Sequence, residues 1–173
     1  FDEFHERSIH ADLALALCLQ IQQLLRGDLK IVVMSATLES EKLSSFLNAP
    51  VITSSGRQFP VEIIYESINK TESITNSITR LTRRAFKEQH GDILVFLPGA
   101  GEIRRVQENL EAENIHAHIF PLYGDLSFQK QKEAIIPDPT GKRKIVLATS
   151  IAETSITIEG ITTVIDSGFS RGR

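Results

Sequence analysis

The chain has 173 residues and a formal net charge of −3, so no global basic field advertises nucleic acid, and any such contact must come from a local groove. Its single cysteine, Cys18, excludes an intramolecular disulfide framework and fits a reducing cytoplasm, and no apolar run approaches the ~20 residues of a membrane span. A chain of this length suits one domain or two small ones and can bury about 70% of its unfolded surface.

The first residues carry adjacent carboxylates, Asp2 and Glu3, just after what reads as the end of a strand. Like charges side by side repel, and a magnesium ion removes that penalty. In nucleotide hydrolysis one carboxylate can hold the metal while its neighbour orients the attacking water. Taken alone, Asp2-Glu3 reads better as an ordinary acidic turn than as a metal site, and what reverses that reading lies downstream. From Ala11 to Leu25 the apolar residues recur at helical spacing, and Gly27 supplies a stop. Lys30 to Met34 is a short β-branched run of the kind expected for a strand buried on both faces of a parallel sheet. A helix is predicted from about Glu39 to Leu47, with Ser40 as an early cap.

Composition changes between Asn48 and Pro60, where Ala49-Pro50, Ser54-Ser55-Gly56 and Pro60 punctuate the chain. A short strand at Val51-Ile52 and then a linker are expected, which places a first unit at residues 1–58 and a second at 59–173. The second opens with a predicted strand over Val61 to Tyr65. A polar helix follows (about Thr71 to Gln89), then a strand at Ile93 to Leu97 and a helix from about Gly101 to Glu113. A strand over Ala117 to Leu122, a helix from about Ser127 to Ile136, and strands at Lys144 to Ala148 and Thr162 to Ile165 complete the pattern. Strands separated by helices, without hairpin signals, predict a parallel α/β sheet. Ser35-Ala36-Thr37, Pro98-Gly99, Tyr123-Gly124 and Thr149-Ser150 each follow an apolar run, at the strand ends where open parallel sheets bind ligands.

Other clusters read more plainly. His5 and His10 are five apart, about 140° around a helix, so they do not share a face as a zinc-protease pair must. Arg80, Arg83 and Arg84 read as a solvated helix face, and Gly141-Lys142-Arg143-Lys144 as a basic turn before a strand. Phe120, Tyr123 and Phe128 read as core and turn packing. No G-x-x-x-x-G-K-[ST] phosphate loop occurs in these 173 residues.

Taken in order, Asp2-Glu3-Phe4-His5-Glu6-Arg7, Met34-Ser35-Ala36-Thr37-Leu38, Val95-Phe96-Leu97-Pro98-Gly99 with Glu102-Ile103, Pro121-Leu122-Tyr123-Gly124 and Ala148-Thr149-Ser150-Ile151-Ala152-Glu153-Thr154-Ser155 form one set. The set resembles the superfamily-two DEAH-box (DEAH/RHA) ATP-dependent helicases, and within them the bacterial HrpB-like branch. The resemblance spans the whole chain. It implies tandem RecA-like parallel sheets with flanking helices: a partial first lobe and most of a second. It implies ATP and Mg2+ as cofactors, single-stranded RNA or another nucleic acid as partner, no membrane, and a cytoplasmic location. By the same resemblance, Asp2 holds magnesium through water and Glu3 polarises the hydrolytic water, together forming the metal site. His5, Ser35, Ala36 and Thr37 couple hydrolysis to lobe movement. Phe96, Leu97, Pro98, Gly99 and Thr149 hold the nucleic-acid backbone, and Ser155, Thr157 and Glu159 face the nucleotide. Two positions depart from the family pattern: Glu159 stands where aspartate is common, and Ile135 where many eukaryotic relatives carry a stacking aromatic. Because neither the phosphate loop nor the family's arginine-finger motif occurs, the chain is expected to be an internal portion of a helicase and inactive alone. A DNA translocase on the same scaffold, or a non-catalytic nucleic-acid or protein-binding module, are the alternative readings.

Overall fold

The computed structural model describes every residue except 37–39, 55, 57–58, 68–70, 153–155 and 171–173, and leaves the side chains of 40, 41 and 151 undescribed. Two compact units divide the chain, Phe1–Glu62 and Ile63–Arg173.

In the first unit, helix α1 spans Ile9–Leu24. Ser8 starts it two residues earlier than the apolar periodicity suggests: its Oγ accepts from the Ala11 N–H at 3.1 Å, satisfying one of the free donors of the first turn. The expected helix after Met34 is α2, Ser40–Leu47, which ends as Asn48 turns left-handed (φ 48°) and the Ser44 hydroxyl donates to the Ala49 carbonyl. The capping role expected of Ser40 concerns a side chain outside the described residues. The expected strand at Lys30 to Met34 is not formed. This stretch has no regular secondary structure, although the Phe1 terminal ammonium donates to Val32 O and Met34 N–H to Phe1 O, both at 2.8 Å. One bridging step on one edge does not make a ladder, and Val32 and Met34 stay 62% and 50% exposed rather than buried on both faces. Val51-Ile52 likewise forms no strand.

The second unit is built on a four-stranded, all-parallel sheet in the order β2-β3-β1-β4, as the alternating pattern predicted. Its elements are α3 (Ile74–Glu88), β1 (Asp92–Phe96), α4 (Ala100–Ala112), β2 (His118–Leu122), α5 (Phe128–Ile135), β3 (Lys144–Ala148) and β4 (Ile161–Asp166). Strand β3 has neighbours on both sides and is buried along all five residues, so its unbroken apolar run suits its place. Alternate residues feed opposite faces. Ile93, Val95, Ile145 and Leu147 pack with Ile78 of α3 and with Ile103, Val106 and Leu110 of α4. Leu94, Val146 and Ala148 pack with Ala134 of α5 on the other face.

Three expectations in this unit need correction. Val61 to Tyr65, which straddles the boundary between the units, forms no strand, and Tyr65 is 90% exposed. A strand needs a ladder, and β-branched composition alone does not supply one. Phe128 is not core: at the first position of α5 it is 81% exposed, whereas Phe120 and Tyr123 pack partly against the sheet. The basic turn is not solvated throughout. Gly141 makes the turn (φ +69°), but Arg143 folds back over the Phe86 ring at 4.2 Å and donates to the carbonyls of Gly91 (2.6 Å) and Phe86 (2.8 Å). Lys144 is fully buried, its ammonium donating to the carbonyls of Ala134, Ile135 and Ile136 at 3.2, 3.2 and 2.9 Å. These are free carbonyls at the carboxyl end of α5, so the lysine acts as its cap. Burial pushes the Lys144 pKa down, against the opposing pull of Asp92, Asp138 and Glu159. The Arg80, Arg83 and Arg84 side chains do lie at the surface, each paired: with Glu72, with both oxygens of Glu113, and with Glu66 and Glu88 respectively.

Candidate nucleotide and nucleic-acid sites

The first-unit residues gather around one sharp turn. Glu3 is left-handed (φ 49°, ψ 39°), a costly state for a side chain with a Cβ. The bend is held by the Glu3 N–H donating to Asp2 Oδ1 at 2.9 Å, by Phe4 N–H donating to Met34 O at 3.0 Å, and by the buried Phe4 ring. It leads into a short 3-10 turn at Phe4–Glu6. The turn brings His5 Nδ1 to 3.3 Å from Glu3 Oε2 and to 3.4 Å from the Ala36 N–H. These two contacts require opposite states of one nitrogen. A lone pair on Nδ1 accepts from Ala36, whereas a proton on Nδ1 donates to Glu3. The imidazole is therefore poised between the acidic pair and the Ser35-Ala36 segment. Ser35 is half-buried and lines, with Phe4, His5, Leu15 and Leu43, a cavity of about 800 Å³ within this unit. Thr37 lies outside the described residues.

Asp2 and Glu3 are hard oxygen donors open to solvent, which suits magnesium, an ion held by one or two carboxylates and otherwise by water and phosphate oxygens. No group of three or more metal-ligating side chains gathers among the described residues, so what they offer is this partial, water-completed type of site.

In the second unit the carboxyl ends of the strands form a continuous edge. Leu97 N–H donates to Ala148 O at 2.8 Å, Thr149 N–H to Leu122 O at 3.1 Å, and Ser167 N–H to Phe96 O at 3.3 Å. The ladder thus runs one residue past each strand, and it sets Phe96 to Gly99 beside Thr149. Leu97 is buried and anchors its loop, Phe96 packs partly under the sheet, and Gly99 caps α4 with extended backbone. Thr149 is half-buried, and its hydroxyl makes no hydrogen bond among the described residues. Of the nucleotide-facing candidates, Glu159 lies apart from this edge. Glu159 is exposed and precedes Gly160, whose carbonyl accepts from Asp92 N–H at 2.9 Å at the opposite, amino end of β1. Thr157 is exposed, and Ser155 lies outside the described residues.

Sequence reasoning missed two features near these sites. Ser8 and Asp12 set the path out of the acidic turn, with Arg7 donating to Asp12 at 2.9 Å; the Ser-x-x-Ala spacing after a polar run was the available signal. His118 is the other. Its Nδ1 pairs with Asp138, which also accepts from the Thr140 N–H and hydroxyl, and these bonds hold the Asp138 carboxyl down to about 2, Thr140 contributing most.

Comparison with known proteins places this geometry. The family model described as the helicase conserved C-terminal domain matches residues 69–172. Over 173 residues the chain is 51% identical to the ATP-dependent RNA helicase HrpB of Escherichia coli (strain K12), covering 98% of this chain and 21% of that protein. It is 41% identical to the ATP-dependent RNA helicase HrpA homolog of Haemophilus influenzae, covering 98% of this chain and 13% of that one. Among solved structures, the crystal structure of Escherichia coli DEAH/RHA helicase HrpB superposes with a TM-score of 0.88 at 50% identity, over 98% of this chain and 22% of that one. The chain therefore spans about a fifth of the length of the HrpB protein it matches.

Proposed function

The chain belongs to the helicase conserved C-terminal domain family, in its DEAH/RHA, HrpB-like branch, and from that premise we propose that it works within an ATP-dependent helicase that translocates on single-stranded RNA and unwinds duplexes. Residues 1–58 would end the first RecA-like lobe and residues 59–173 would form most of the second. The observation that carries the reading is the acidic turn, in which Glu3, His5 and Ala36 meet within 3.4 Å although 31 residues separate His5 from Ala36.

In this reading Asp2 would hold Mg2+, and Glu3 accepts a proton from the water that attacks the terminal phosphate. Bound magnesium would supply charge neutralisation on the phosphate oxygens. His5 exchanges its Nδ1 partner between Glu3 and Ala36 as the nucleotide state changes, and so passes that change to Ser35, Ala36 and Thr37. Ser155, Thr157 and Glu159 face the nucleotide from the second lobe. Along the carboxyl edge, the free Thr149 hydroxyl and the Phe96 to Gly99 loop meet phosphate rather than base edges. Contacts of that kind position a strand without reading its sequence, as a motor on arbitrary sequence requires.

The test is ATP hydrolysis by the longer protein that this reading implies, measured with single-stranded RNA, with single-stranded DNA of the same sequence, and without nucleic acid. Stimulation by RNA above that by DNA is expected. Equal stimulation would favour a DNA-competent translocase, and no hydrolysis under any condition would favour a non-catalytic binding module.

A further inference from the structure

Phe128 is 81% exposed at the first position of α5, at the same carboxyl edge of the sheet as Thr149 and Gly99. The placement follows from topology. β2 ends at Leu122, whose carbonyl accepts from Thr149 N–H, and after five intervening residues α5 begins its return toward the amino edge. The intervening loop is fixed in shape. Leu126 N–H donates to Tyr123 O at 3.1 Å, and the Gln131 side-chain amide donates to Leu126 O at 2.9 Å and to Gly124 O at 3.4 Å. The helix is held from beneath by buried Ala134, so the opposite side, with Phe128 and one turn later Lys132, faces solvent. The exposed phenyl ring, with a cation one turn away, stands beside the exposed Asp125 of the preceding loop and at the same edge as the Thr149 hydroxyl.

We propose that Phe128 is a base-stacking platform: single-stranded nucleic acid whose backbone lies along Leu97 to Gly99 and Thr149 lays one base on the phenyl ring, with Lys132 beside the adjoining phosphate. The inference rests on the nucleic-acid reading of that edge and extends it from backbone to base. Every base has a π-face, so the contact adds affinity without demanding a sequence. A protein partner on the same ring would be the competing occupant. Lys130 and Lys132, both exposed on α5, outnumber the loop's Asp125, and with the Thr149 hydroxyl and the exposed loop backbone they favour a polyanion.

The chain contains no tryptophan, so Phe128→Trp places a single indole reporter at the position. Binding of the 173-residue chain to an oligouridylate and to an abasic sugar-phosphate oligomer of equal length would be measured by anisotropy at one fixed low salt concentration, with circular dichroism checking that each variant folds. Phe128→Ala is expected to weaken oligouridylate binding roughly 5- to 100-fold while leaving the abasic oligomer unaffected. Phe128→Trp is expected to retain affinity, with its fluorescence quenched by oligouridylate and not by the abasic oligomer. If both oligomers bind the parent chain and Phe128→Ala changes neither, the stacking role is overturned and the backbone reading survives. If neither binds the folded parent chain, both fail. If Phe128→Ala alters only sedimentation behaviour, the ring is a contact between copies and the proposal is wrong.

Discussion

Replacing Lys144 by methionine tests the packing account of the second unit without reference to any ligand. Methionine matches the volume of the lysine stem but cannot donate, so the carbonyls of Ala134, Ile135 and Ile136 lose their shared cap. Hydrogen bonds to a charged group contribute about 1.5–3 kcal/mol each, and three of them would exceed the stability of many domains. Dehydrating the ammonium costs several kcal/mol in the opposite direction, and burial does lower the Lys144 pKa. Ile136 is itself exposed, so water can reach one of the three acceptors in the variant. The balance is a loss of about 2–4 kcal/mol, equivalent to roughly 8–16 °C in Tm for a domain of this size. Urea unfolding followed by circular dichroism, with the denaturant slope compared to exclude a changed unfolded state, measures it directly. Unchanged or increased stability would show that the desolvation cost cancels the cap, and would refute the argument.

Three further perturbations probe other parts of the account. Gly160 has φ +87°, and a Cβ there would meet Asp92 Oδ2 at 2.7 Å, so Gly160→Ala should destabilise the second unit by at least about 1 kcal/mol in the same unfolding assay. The Asp138 carboxyl, held at about 2, contributes stability that is present above the unfolded carboxyl pKa near 3.9 and is lost as pH falls through about 2. Asp138→Asn should therefore flatten the decline in stability between about pH 4 and pH 2, which unfolding curves across that range would reveal. Thr149→Val removes the free hydroxyl at the carboxyl edge and should weaken binding to unrelated single-stranded oligonucleotides by a similar factor at one salt concentration; a loss confined to one sequence would contradict a backbone contact.

The second unit was legible because its strands are short apolar runs separated by amphipathic helices, and β1, β2, β3 and β4 fall within two residues of their predicted bounds. Where ladder partners were few, the same reasoning overreached. Lys30 to Met34 and Val61 to Tyr65 carry strand composition, but hydrogen-bond pairing is a tertiary property that composition cannot supply. Lys144 was misread for a related reason. A lysine next to an arginine looks solvated in sequence, and only the packing of α5 against β2 and β3 brings three free carbonyls to its ammonium. Phe128 failed in the other direction, since a phenylalanine in a helix reads as core unless the helix's first turn projects beyond the sheet. At the candidate sites, motif order pointed to the Glu3–His5–Ala36 neighbourhood, whereas the opposed demands on His5 Nδ1 became visible only from the geometry.

The central claim is that Glu3 activates water for ATP hydrolysis, and single-turnover hydrolysis by the longer helicase carrying Glu3→Gln tests it most directly. Glutamine preserves the shape of the left-handed turn while removing the base, so ATP should still bind and the chemical step should slow by roughly 10²–10⁴-fold. A hydrolysis rate equal to that of the parent protein, with ATP binding intact, would remove Glu3 from the mechanism and with it the catalytic reading of the acidic turn.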